Sequence, residues 1–134
     1  MKRTSSAMDA GSGATGVKDF NRALLDFIRD LAKSFPQVEG FRRAYASTNL
    51  MATLNPPLVQ SMFNKVISPF VPRILMRDEA FFLAKDYTEE AAVAGENLEF
   101  VSMIKEIWGT MSCDDKDNIW RHMEVLVAIN HTIG

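Results

Sequence analysis

The sequence predicts an all-α fold, a single domain of five or six helices with a proline-bent middle. Three observations carry that expectation. Apolar residues recur with a period near 3.6 in several long segments, and no segment alternates with the period of two that a sheet requires. The chain is 134 residues long, 47% hydrophobic and 24% charged. That is enough for one core and too little for two domains of ordinary size.

Residues 1–16 hold three glycines, three serines and two threonines and little that is large and apolar, so they are expected to form a disordered tail ahead of a helical domain over 17–134. No apolar run follows Lys2 and Arg3, so no secretory signal is expected. From Val17, Phe20, Leu24, Phe27, Ile28, Leu31 and Phe35 fall on one helical face, supported by Arg22/Asp26 and Asp30/Lys33 pairs. Pro36 disfavours helical geometry at Phe35 and ends the element.

A second helix is expected from about Val38 to Leu54, with Phe41, Tyr45 and Met51 toward the core and Gly40 as a weak point. Asn55-Pro56-Pro57 then restarts the chain, Asn55 as N-cap, into a helix bearing Leu58, Met62, Phe63, Val66, Ile67 and Phe70. Pro69 and Pro72 bend residues 68–73, because each lacks a backbone donor and clashes with the preceding turn. Ile74 and Leu75, then Phe81-Phe82-Leu83, read as short helices anchored in the core, and Asp86 to Asn97 as a loop or frayed helix. Leu98, Val101, Ile104, Ile107, Trp108 and Met111 mark the next helix. Ser112 caps the last, which carries Ile119, Trp120, Met123, Leu126, Val127 and Ile133.

The formal charge of −2 conceals a division along the chain. Residues 17–77 carry nine bases against four acids, and residues 78–117 three bases against eleven acids. The two halves are expected to attract each other across an ordinary solvated surface. The basic half also offers a nucleic-acid reading, with Arg42, Arg43, Arg73 and Arg77 as its compact contacts. Against it stands an isoelectric point near 5.7. One cysteine allows no internal disulfide, and no run reaches the ~20 apolar residues that cross a bilayer. A soluble intracellular protein without a membrane span is expected.

Residues with chemical potential are few. Cys113 stands at a helix start, where the dipole favours thiolate, but Asp114, Asp115 and Asp117 oppose it, and it reads as part of a capping turn. His122 and His131 are nine positions apart, on opposite sides of a helix, and share no metal. Asp78, Glu79, Asp86, Glu89 and Glu90 flank Phe81-Phe82-Leu83, and acids beside a hydrophobic pocket can do acid/base work. A first-turn role is the better reading for Asp78 and Glu79. No phosphate loop or nucleophile motif occurs, so neither catalysis nor a cofactor is expected.

Four pieces carry a resemblance. They are Phe20-Asn21-x-x-Leu24-Leu25-x-Phe27-Ile28-x-Asp30-Leu31 with Phe35-Pro36; Asn55-Pro56; Asp78-Glu79-x-Phe81-Phe82-Leu83-x-x-Asp86-Tyr87; and Trp108 through Ser112 to Lys116-x-x-Ile119-Trp120-x-x-Met123-x-x-Leu126. In this order, over residues 20–127, the chain resembles a group of small uncharacterised proteins of large double-stranded DNA viruses of algae and other protists. The resemblance implies a viral setting and no reaction. The expected function is therefore a non-enzymatic protein-interaction module, a virus-encoded factor or minor virion component with a protein partner. Nucleic-acid binding by residues 17–77 is the alternative.

Overall fold

The computed structural model describes residues 8–94 and 99–133, and among them there are helices and turns but no strand. In chain order these are α1 (Met8–Ser34), α2 (Glu39–Leu54), α3 (Pro56–Ile67), a 3-10 turn (Ser68–Phe70), α4 (Val71–Leu75) and α5 (Glu79–Ala84). Then follow α6 (Thr88–Ala94), α7 (Glu99–Ile107), a second 3-10 turn (Trp108–Thr110) and α8 (Cys113–Ile133). The fold is all-α, as expected, with more helices than five or six because the bent middle resolves into separate short ones.

α1 is the axis, packed against α2, α3 and α8. Its apolar stripe is the one the spacing predicts: Phe20, Leu24, Phe27, Ile28, Leu31 and Phe35 are all buried. Phe20 meets Phe63 of α3 edge-on at 4.8 Å, and Phe27 meets Phe100 of α7 at 5.7 Å. Such ring pairs favour edge-to-face geometry because the ring face is negative and its edge positive. α1 begins at Met8, so residues 8–16 of the expected tail are helical, while 1–7 lie outside the described residues. Gly16 lies against Ile133 of α8, a contact that extends the packed helix into this weak-propensity stretch.

Several local expectations change. Arg22 pairs with Asp19 and Arg29 with Asp26, both one turn apart, in place of Arg22/Asp26. Asp30 turns to α8, where Asn118 and His122 meet it, and not to Lys33. Asn55 makes no side-chain cap; its backbone N–H closes α2 on Met51 O, and Pro56 and Pro57 begin α3. Pro69 and Pro72 each sit in the first positions of a new element, where their missing N–H costs nothing. Gly40 is no simple weak point. It lies against Met103 of α7, and a Cβ there would overlap Sδ and Cε of that side chain.

Ser112 does cap α8: its Oγ accepts from Asp115 N–H at 3.0 Å, and Asp115 Oδ2 accepts from Ser112 N–H at 3.4 Å, a reciprocal capping box. Of the expected loop 86–97, residues 88–94 form α6, and Gly95 and Asn97 lie outside the described residues, as does Leu98. The largest departure is α5. Of Phe81, Phe82 and Leu83, expected to anchor the core, Phe82 packs against it half-buried, while no α5 residue is fully buried and Leu83 is 36% exposed. No described helix is long and apolar enough to cross a membrane.

Candidate functional site

α5 is half-buried because it forms one wall of an apolar pocket with a cavity volume of about 90 Å³. Each helix around it contributes one stripe at helical spacing. α3 and the turn after it supply Val66, Ile67 and Phe70, α7 supplies Val101, Ser102, Ile104 and Lys105, and α8 supplies Ile119, Trp120 and Met123. Ile74, Trp108, Tyr87 and Glu90 close the sides, and Glu79, Phe82 and Leu83 form the α5 wall. α8 thus serves two neighbours. Asn118 and His122 face α1, where His122 stacks on Phe27 at 4.9 Å, while Ile119, Trp120 and Met123 face the pocket.

Aromatic rings line much of the surface. Phe82 stands 5.9 Å from Trp120 and 6.3 Å from Phe70, and Trp108 meets Trp120 edge-on at 6.0 Å. The polar side chains of the wall are mostly committed elsewhere. Tyr87 Oη donates to Phe82 O at 2.9 Å, Lys105 Nζ donates to Lys85 O at 2.7 Å, and Lys85 Nζ pairs with Glu90 Oε2 at 3.2 Å. Burial and the nearby Glu90 charge push the Tyr87 phenol up to about 12. Glu90 Oε1 and Trp108 Nε1 are covered and have no hydrogen-bond partner.

The corner ahead of α5 is latched to α8. Arg77 adopts a left-handed backbone (φ 52°), a region that disfavours residues with a Cβ. Its guanidinium donates to both oxygens of Glu124, at 2.9 and 3.1 Å, and to Asp117 at 2.7 Å. These bonds hold the Glu124 and Asp117 carboxyls below their ordinary range and raise the guanidinium further. The latch fixes the start of α5, so it sets the position of the pocket's outer wall.

The other sequence candidates fall as follows. Arg73 pairs with Asp78 at 2.7 Å and lies over the Phe81 ring, Arg42 donates to Pro36 O and faces Glu39, and Arg43 faces Glu99. All four candidate arginines therefore already have partners in their own chain. Arg43–Glu99 and Arg77–Asp117 join the basic and acidic halves as the charge division suggests. Asp78 caps α5 by accepting from Phe81 N–H, and Asp86 accepts from Thr88 N–H and Oγ1. Both carboxyls are held below their ordinary range, Asp78 chiefly by Arg73 and Asp86 chiefly by the Thr88 hydroxyl. That is the reverse of the raised carboxyl a general acid needs. Glu79 and Glu90 do border the pocket, while Cys113 is exposed beside the capping turn. Ser102 and Lys105 were not singled out from sequence, because nothing in local spacing brings α7 beneath α5, and Tyr87 entered only through the resemblance. No group of metal-ligating side chains occurs among the described residues.

No family model, curated protein or solved structure matches the chain.

Proposed function

We propose that the protein is a non-enzymatic binding module whose site is the pocket beneath α5. The observation that carries this reading is a preformed concave surface lined almost wholly by carbon, with its neighbouring polar groups tied to one another. Sites of this kind bind by removing apolar surface from water. The acids next to α5 act as ionised caps, which further supports binding over proton transfer. The viral setting rests on the resemblance of residues 20–127 alone, and within this proposal the module is a virus-encoded factor. The nucleic-acid reading draws less support, since Arg73 and Arg77 are engaged in close ion pairs, while Arg42 and Arg43 reach acids only at 3.9 and 3.8 Å and stay exposed.

Thermal unfolding tests the proposal, because anything bound only by the folded state raises the midpoint by mass action. Apolar compounds and short apolar peptides are screened against the protein and a Ser102→Phe variant, whose added ring occupies the pocket. Stabilisation of the parent and not of the variant is expected. If no compound or peptide raises the parent's midpoint above the variant's response, the pocket is not a binding site.

A further inference from the structure

Resting on the reading of the pocket as a binding site, we propose that its guest is a free, neutral, apolar small molecule of about one aromatic ring, seated against Phe82 and Trp120. The size follows from the cavity volume of about 90 Å³. A dry cavity of ~150 Å³ in another protein holds benzene. A partly open cavity smaller than that one seats a single ring with an edge toward solvent.

Neutrality follows from the wall. Tyr87, Lys105 and one oxygen of Glu90 are engaged within the protein, and the other oxygen of Glu90 and Trp108 Nε1 are covered. Ser102 adds a single hydroxyl. An ionised guest would surrender its hydration to a lining that is nearly all carbon, because Glu79 is exposed to solvent and Lys105 is turned to Lys85 O, a penalty that disfavours it. Ring character follows from Phe82, Trp120 and Trp108, whose edges and faces stand where an entering ring can complete edge-to-face pairs.

A protein partner needs more than a pocket. Stable interfaces cover roughly 800 Å² on each side with an apolar centre. Of the large apolar side chains that the described surface leaves exposed (Leu50, Leu54, Leu75, Met76, Leu83 and Val125), only Leu83 lines this pocket. Within the pocket itself, exposed greasy surface of this kind is confined to Leu83, and a free molecule is the better fit.

The test is an NMR titration of the full chain with toluene, benzoate and benzylamine, which share a ring and differ in charge. Toluene is expected to bind saturably, shifting the indole N–H signals of Trp108 and Trp120. Contacts between its protons and those of Met123 and Ile104 should place it in the pocket without recourse to any variant. Benzoate and benzylammonium should bind at least about tenfold more weakly, and Ser102→Phe should remove toluene binding. Equal or tighter binding of either ion overturns the neutral-guest inference and leaves the pocket reading intact. Failure of toluene, with an apolar peptide shifting the same indole signals, overturns the small-molecule inference alone. If neither toluene nor peptide shifts them, both readings fall.

Discussion

Replacing Gly40 by alanine sets two effects of similar size against each other. Alanine is favoured over glycine by up to ~1 kcal/mol in a helix, and by less in the first turn, where Gly40 sits. The new Cβ, however, would overlap Sδ and Cε of Met103, so the thioether must leave its place between α2 and α7. Overpacking of this kind costs ~1–3 kcal/mol, moderated here because the displaced atoms end a flexible side chain. Gly40→Ala alone should therefore destabilise by at most ~2 kcal/mol, the difference between the two effects. In a Met103→Ala background the obstruction is gone, and the same substitution should stabilise, by up to ~1 kcal/mol. Urea denaturation of the four proteins in the cycle reads the sign directly. A Gly40→Ala change of the same sign in both backgrounds would refute the argument that close approach, not backbone freedom, selects glycine here. The pocket supplies a second readout. α7 faces α2 through Met103 and the pocket through Val101, Ser102, Ile104 and Lys105, so a displaced α7 should weaken apolar binding in the single variant and recover it in the double.

Thr48 is wholly buried and its Oγ1 has no partner, so Thr48→Val, which keeps the shape and removes the hydroxyl, should stabilise the fold by ~1 kcal/mol in denaturant titrations. Acid should unfold the protein by protonating Asp78, Asp86, Asp117 and Glu124, whose folded carboxyls lie below the ordinary 3.8 and 4.5. Their contribution is complete above those values and is lost as pH falls through them, so the thermal midpoint should be level near neutrality and drop below about pH 4.5. Arg77→Gln should flatten that drop, since Asp117 and Glu124 lose the partner that depresses them, and an unchanged acid profile would contradict the latch. At the alkaline end, Tyr87 should ionise near 12 against an ordinary 10.0, and its stabilising effect should fade as pH rises between them. Ultraviolet titration of the phenolates should show one late step that Tyr87→Phe removes.

The long helices were legible because a single stripe decides them. The α1 set Phe20 to Phe35 has one partner side and one solvent side, and period alone separates these. The break at Pro36 and the restart at Pro56 were legible because proline acts through its own backbone. Of Phe81-Phe82-Leu83, Phe82 packs on the core and also walls the pocket, Leu83 is exposed, and Phe81 lies beneath Arg73 outside the pocket. All three are greasy, and only the neighbours decide which is covered. Gly40 misled for the opposite reason, since propensity sees a flexible backbone where the fold uses a missing side chain. Phe100, among the most buried residues, was not singled out at all, although it sits one position before Val101. The pocket itself was illegible. It assembles residues from α3 to α8 whose convergence depends on how α7 and α8 cross the middle of the chain.

The Asp30–His122 contact spans 92 positions, and α8 both clasps α1 and floors the pocket. A ribosome therefore releases the early helices well before α8 can dock, and during that interval the parts of α1, α3 and α7 that pack on α8 or line the pocket lack that cover. The cell meets this protein first as a sticky precursor without a site. The binding cavity is born only when the final helix swings home, in the same event that hides the surface most prone to clump.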